Sequence, residues 1–343
     1  MDKRVIFAVA GSGKTSNIID NLNEDSRTLI ITYTENNFKN IKKRIAAKFG
    51  YIPNGIKIYT YFTFVFSFCF KPILGNQFKI KGINWDVPPQ FTLRLNRNDE
   101  RFYIDKYGRL YHNRIAKLLD QYGAIDQLIS RIEKYFDSIC IDEVQDFGGH
   151  DFNLLLQLAS AKVRHLLVGD FYQHTFDTSR DGKTNKTLHD CYDKYKQRFI
   201  QAGFYVDIDS LSHSYRCSEN TCKFVTDNIG IEIFSHRKDT TDVQLITCKK
   251  RVTEIFSCSK TVKLFYQASN KYLGLTENWG ATKGEDHYED VCVVLNQKTL
   301  THFNQNKLRD LPSQTKNKLY VACTRAKGNL YFVSEKDLSE FKM

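Results

Sequence analysis

Near its amino terminus the chain reads Ala8-Val-Ala-Gly-Ser-Gly-Lys-Thr15, and Gly11, Ser12, Gly13, Lys14 and Thr15 are the residue types that hold a polyphosphate. Glycine frees backbone N–H groups to wrap an anion, and a helix N-terminus presents its positive end to it. Lys14 would then reach the β- and γ-phosphates, and the Thr15 hydroxyl would hold Mg²⁺. The flanks agree: Arg4–Val9 is an apolar run suited to one buried strand, and Ile18, Ile19 and Leu22 share a helical face behind the loop. A plain glycine turn with an exposed lysine would need neither flank. Ala8 stands where the first glycine of such loops is usual.

Two acidic clusters end other apolar runs. Tyr135–Ile141 reads as a strand running into Asp142-Glu-Val-Gln-Asp146. There Asp142 would hold the metal, and Glu143 would position or deprotonate an attacking water. Carboxylates also cap helices, so the pair gains its weight from the loop at Gly11–Thr15. Val163–Val168 is a further strand, ending in Gly169-Asp-Phe-Tyr-Gln173, where Gln173 would touch the γ-phosphate or its water. Ligands of parallel α/β sheets sit at the carboxyl ends of strands, so three such ends describe one site.

Positioning these groups requires a sheet. Thr28–Thr34 and Ile56–Thr60 read as strands, separated by a basic helix from Asn37 to Lys48 with Ile41, Ile45 and Phe49 on one side. An aromatic stretch follows from Tyr61 to Phe70. Strands alternating with helices indicate a parallel sheet covered on both faces. From 71 to 130 the rhythm breaks into a small insertion, with an amphipathic helix expected over Arg109–Tyr122. Leu154–Ala159 belongs to a helix, Asp177–Asn185 to a polar, mobile loop, and Thr187–Gln201 to a closing helix. The second half opens at Ser212-His-Ser-Tyr-Arg216. It alternates again, with strands at Val243–Thr247, Thr261–Gln267, Val291–Leu295 and Leu330–Val333 and a helix around Leu319–Ala326.

With 343 residues, 41% hydrophobic and 26% charged, the chain is globular and long enough for two domains. A net charge of +11 suits a polyanionic partner, nucleic acid before an anionic membrane. Nine cysteines without a C-x-x-C pair, and no leader segment, suggest reduced thiols in a cytoplasmic protein. Cys69, Cys140, Cys292 and Cys323 lie in apolar runs and are expected to pack. The most apolar window, Tyr59–Phe70, is too short to span a bilayer.

Taken in order, Ala8–Thr15, Asp142–Asp146, Val168-Gly-Asp-Phe-Tyr-Gln173, Ser214-Tyr-Arg216, Thr282-Lys-Gly284 and Tyr320-Val-Ala-Cys-Thr-Arg-Ala326 resemble the motifs of UvrD/PcrA-like superfamily-one DNA helicases. The resemblance runs from residue 8 to about 333. It implies an α/β fold of two RecA-like P-loop domains with parallel sheets, over 1–205 (with the insertion at 71–130) and 206–343. It also implies ATP and Mg²⁺ as cofactors. Tyr215 would stack on adenine, and Arg216 and Arg325 would reach the γ-phosphate from the second domain. Thr282-Lys283-Gly284 would contact both DNA and nucleotide, with Asp286, or Glu285 beside it, supplying a carboxylate. Single-stranded DNA would meet Thr32, Tyr33, Thr34, Thr60, Tyr61 and Phe62, with Tyr33 and Phe62 stacking on bases.

Departures accompany the matches. No upstream glutamine segment precedes the first strand, and Ser16 stands where many relatives carry an arginine over the adenine. Thr178 falls where relatives carry a DNA-stacking aromatic. Arg216 and Thr282 are only 66 positions apart, where relatives insert a large accessory domain. The expectation is an ATP-dependent 3′–5′ helicase or single-strand translocase hydrolysing ATP at a two-domain cleft. The rival is a nucleic-acid-triggered regulatory ATPase that switches a partner protein such as a nuclease. A nucleotide kinase would leave Gln145-Asp146 and Thr324-Arg-Ala326 without a role.

Overall fold

The computed structural model describes residues 2–175 and 181–343. Thr178 lies outside them, as do the first residues of the Asp177–Asn185 loop.

Strands in chain order are β1 (Lys3–Phe7), β2 (Thr28–Thr32), β3 (Ile56–Thr60), β4 (Gly82–Asn84), β5 (Arg109–Tyr111), β6 (Ser138–Ile141), β7 (Arg164–Gly169) and β8 (Tyr205–Asp207), followed by β9 (His213–Ser214), β10 (Phe234–Ser235), β11 (Val243–Leu245), β12 (Val262–Phe265), β13 (Thr276–Asn278), β14 (Val291–Leu295) and β15 (Leu330–Ser334). They form a six-stranded sheet in the order β3-β2-β6-β7-β1-β8 and a five-stranded sheet in the order β11-β15-β14-β12-β13. Parallel pairing joins β1–β8, β2–β3, β2–β6 and β6–β7 in the first sheet and β11–β15, β14–β15, β12–β14 and β12–β13 in the second. The chain is therefore a mixed α/β protein of two RecA-like folds, as its alternating pattern requires.

Contacts divide it into two compact units. One comprises Met1–Ile6, Thr15–Gly169 and Asp177–Asp207; the other comprises Phe7–Lys14, Asp170–Phe176 and Ile208–Met343. The glycine loop and the turn after β7 thus group with the second half of the chain.

In the first unit, β2 and β6 are buried along their whole length, which explains why they read as unbroken apolar runs. Helix Glu35–Phe49 buries Ile41 and Ile45, starts on Thr34, whose hydroxyl accepts from Asn37 N, and stops at left-handed Gly50. In the second unit, alternation sends Val262, Leu264, Val291, Val293, Leu330 and Phe332 to one face. Phe265, Cys292, Val294, Tyr331 and Val333 go to the other. The four cysteines in apolar runs are all buried, and all nine are free.

Several local expectations shift. Arg109–Tyr111 is a strand paired with Gly82–Asn84, so the helix expected from Arg109 begins only at Ile115 and ends at Gln121. Tyr61–Phe70 is helical, with a π-helical stretch from Phe64; every second or third residue there is aromatic, which hides the period. The expected start of β6 at Tyr135 belongs instead to helix Ile125–Tyr135, and the closing helix starts at Tyr192 instead of Thr187. Among the described residues, no helix is long and apolar enough to cross a membrane.

Candidate nucleotide-binding site

Within the first unit, Thr15 stands in the first turn of the helix after the glycine loop, and β6 delivers Asp142. The Thr15 hydroxyl donates to Asp142 Oδ2 at 3.0 Å. Asp142 is fully buried, its Oδ1 accepts from the Glu143 N–H at 3.0 Å, and its own N–H bonds Ile31 O at 2.9 Å. Glu143 takes a left-handed backbone (φ 59°, ψ 48°), a costly conformation for a non-glycine residue and one that clusters at functional sites. The buried Gln145 amide donates to its carboxylate. Gln145 has room because Gly169 ends β7: a Cβ there would lie 2.5 Å from Gln145 Oε1. Thr15, Asp142, Glu143 and Gln145 are therefore one hydrogen-bonded set, and sequence spacing did not reveal the part Gln145 plays in it.

Within the second unit, Gly11 and Gly13 have φ of 72° and 88°. A Cβ on Gly11 would come 2.7 Å from Arg216 Cβ and 2.8 Å from Ser214 Oγ, so both conformation and space demand glycine. Gly11 O accepts from Tyr215 N at 2.9 Å, which seats the loop on the Ser214–Arg216 segment. Ser12 is buried, its hydroxyl donating to Val9 O at 2.8 Å. Lys14 begins the helix, and its ammonium has no carboxylate or hydrogen-bond partner among the described residues. The Ala10 N–H donates to the Tyr320 hydroxyl at 2.9 Å, and that hydroxyl donates to Asp170 Oδ2 at 2.9 Å. Tyr320 sits in a helix that reads as core, so no sequence signal marked this link. Gln173 is buried in the short turn that Asp170 caps, its N–H bonding Asp170 O at 2.9 Å.

Both arginines belong to this unit. Arg216 Nε donates to Asp286 Oδ1 at 2.7 Å and its Nη1 to Thr324 O at 3.2 Å. Glu285 instead accepts from the Tyr288 hydroxyl, so Asp286 is the carboxylate turned to the arginine. Arg325 is buried, donating to the carbonyls of Val321, Thr282 and Glu285. Burial, and then the neighbouring positive charge of Arg216, bring its guanidinium down to about 10. Two guanidinium groups so placed make a region that an anion would relieve. Gly284 turns this segment at φ 84°. Tyr215 is 65% exposed, one ring face on His236 at 4.1 Å.

The residues expected to meet nucleic acid separate into two kinds. Thr32, Thr60 and Thr282 are buried, and the Thr282 hydroxyl donates to Trp279 O at 2.9 Å. The Thr60 hydroxyl donates to Thr63 Oγ1 at 2.9 Å, so the Thr60 and Thr282 hydroxyls bond within their own segments. Tyr33 and Phe62 are half-buried at the ends of β2 and β3, their rings 5.7 Å apart. Tyr33 also packs 5.6 Å from Phe147, which follows the turn carrying Gln145. Ser16, where an arginine was missing, accepts from Arg44 Nη2 at 2.6 Å.

The glycine loop of the second unit suits a polyphosphate, and the Thr15–Asp142 pair of the first suits Mg²⁺. The glycine cradle is one that a Cβ would fill, and the hydroxyl–carboxylate pair Thr15–Asp142 is the sparse donor set that Mg²⁺ uses when phosphates complete its shell. No cluster of three or more His, Cys, Asp or Glu side chains able to hold a metal occurs among the described residues.

Two parallel RecA-like sheets with a glycine loop after the first strand define a P-loop α/β protein. In fold it is similar to an Arterivirus helicase, nonstructural protein 10, solved in complex with DNA, at a TM-score of 0.52 and 14% identity. The match covers 99% of this chain and 63% of that one. A second structure of the Arterivirus helicase matches with a TM-score of 0.48 and 14% identity, over 99% of this chain and 62% of that one. The chain thus spans less than two thirds of the length of either helicase. No protein-family model and no curated protein matches it.

Proposed function

We propose that this protein is an ATP- and Mg²⁺-dependent motor on single-stranded nucleic acid, DNA before RNA, of the UvrD-like superfamily-one type, moving 3′ to 5′, with its domains divided near residues 205 and 206. The observation that carries the proposal is the bond from Thr15 to Asp142 beside Glu143, because a hydroxyl and carboxylate that would hold the metal and a carboxylate that would act as base then share one strand end. Bound Mg-ATP would supply the γ-phosphoryl group and the charge to be neutralised. Gly11–Lys14 would wrap and pair the phosphates, and Thr15 with Asp142 would hold the metal. Glu143, oriented by Gln145, would align the attacking water and accept its proton. Arg216, Arg325 and Gln173 would respond to the γ-phosphate, Tyr215 would face the base, and Gly284 with Asp286 would complete the nucleotide contacts.

Tyr33 and Phe62 would stack on bases, giving a sequence-neutral grip. Phe147 joins the segment that holds Glu143 to those rings, a packed route by which hydrolysis and strand grip would influence each other. Free thiols throughout suit the reducing cytoplasm.

One observation favours the rival, a regulatory ATPase that switches a partner. The segment between Arg216 and Thr282 supplies β11, β12 and β13 of the sheet itself, with no accessory domain among its described residues. ATP turnover measured with single-stranded DNA, duplex DNA and RNA tests the proposal, with stimulation by single strands that falls with salt as the expected outcome. A strand-displacement assay on the same protein separates motor from switch: unwinding supports the first, stimulated turnover without unwinding the second.

A further inference from the structure

Trp85 is the most conspicuous residue that the motifs leave unused. It follows β4 in the insertion and is 60% exposed, although tryptophan is a ring that folded proteins normally cover. It is not isolated. Its ring meets Phe62 edge-on at 4.9 Å and lies against His112, which follows the paired strand β5, at 5.6 Å and 29°. Phe62 in turn meets Tyr61 at 5.2 Å and Tyr33 at 5.7 Å, and Tyr61 meets Phe147 at 4.9 Å. A continuous run of rings therefore leads from the segment carrying Glu143, across the ends of β2 and β3, to an exposed indole on the insertion.

We propose that Trp85, backed by His112, is a base-stacking platform for single-stranded nucleic acid, so that the insertion extends the strand-binding face begun by Tyr33 and Phe62. The inference rests on the motor proposal above and adds to it a ring more open than either Tyr33 or Phe62. Stacking needs a flat exposed π-face, and Trp85 offers one while Tyr33 and Phe62 are half-covered. Charge favours a polyanion over a protein partner. Residues 71–111 hold eight basic and four acidic side chains. Asp99 and Asp105 pair with Arg101 and Arg109. Lys79, Lys81 and Lys106 are exposed and have no carboxylate partner among the described residues. Phosphates would meet those ammonium groups while a base covers the indole.

The chain has two tryptophans, and Trp279 is fully buried, so Trp85 reports on its own surface. Titrating the protein with oligothymidylate or oligouridylate should quench tryptophan emission, and Trp85→Phe should remove that signal. By anisotropy of a labelled strand, Trp85→Ala should weaken binding roughly 5- to 150-fold, the range for loss of one base–aromatic stack. Trp85→Phe should bind close to wild type. An abasic strand of equal length keeps the phosphates and should leave the emission unquenched. Wild-type affinity in Trp85→Ala with emission unmoved by the strand would overturn the inference while leaving the motor intact. So would loss of self-association in that variant with strand binding unchanged, since the patch would then be a protein interface. If the wild-type protein binds no single strand at all, the motor proposal itself falls, and this inference with it.

Discussion

The hydroxyl of Tyr320 donates to Asp170 at 2.9 Å, joining residues 150 positions apart in sequence, while accepting from the Ala10 N–H of the glycine loop. Burial, with the nearby carboxylate adding to it, holds this phenol well above its usual value, so it stays a neutral donor. Tyr320→Phe leaves a buried carboxylate oxygen and a loop N–H without that partner. The expected cost is about 1–3 kcal/mol in urea unfolding, together with weaker ATP binding. Unchanged stability and affinity would show that the hydroxyl is dispensable to the loop.

Gly11 and Gly50 both have positive φ, but only Gly11 lacks room for a side chain. Gly50→Ala should cost roughly 1–2 kcal/mol, the ordinary left-handed penalty, and leave ATP binding intact. Gly11→Ala adds a clash with Arg216 and Ser214 and should abolish binding. Equal nucleotide affinity in the two variants, read by a fluorescent ATP analogue, would refute the cradle.

The Arg216–Asp286 pair has one half-exposed partner, Asp286 at 62%, so its contribution to stability is about 0–1 kcal/mol at most. Asp286→Asn should therefore leave unfolding nearly unchanged and lower turnover through a less well aimed guanidinium. Arg216→Ala should lower turnover much further, by about 10³ if the arginine stabilises transition-state charge. Steady-state ATPase assays on both variants check this, and wild-type turnover in Arg216→Ala would remove the arginine from the mechanism.

Acid sensitivity has an identifiable source. Burial holds His165 and His150 below the ordinary histidine value. The folded protein thus keeps them neutral where the unfolded chain binds protons. The unfolded state is the more protonated one below about pH 6.5, so stability falls as pH drops through that value and this contribution is flat above it. His165 donates from Nε2 to Ala161 O, and His165→Gln keeps a donor without the titration. Its unfolding free energy should fall less than that of wild type between about pH 7 and pH 5. An equal fall would exclude His165 as a contributor.

Much of this was legible in the residues themselves. A buried parallel strand is an apolar run with a polar end, so β2, β6, β7 and β14 stood out, and with them Thr15, Asp142 and Glu143. What escaped notice depends on distance along the chain. Tyr320 looks like any buried helical tyrosine until the fold brings it to Ala10 and Asp170. Arg109–Tyr111 has helical periodicity until Gly82–Asn84 pairs with it. The three threonines at Thr32, Thr60 and Thr282 have the right chemistry for phosphates, but the fold buries all three. Trp85 sits in an irregular segment where no periodicity could place it beside Phe62.

The most direct measurement is ATP binding and turnover by Glu143→Gln beside wild type, with and without single-stranded DNA. Glutamine keeps the shape at a strained, left-handed position and removes the base. The expected result is near wild-type ATP affinity with turnover nearly abolished in both conditions, while wild-type turnover rises when the strand is added. Wild-type turnover in the variant, or no turnover by wild type with any nucleic acid, would contradict the assignment of this strand end to ATP hydrolysis.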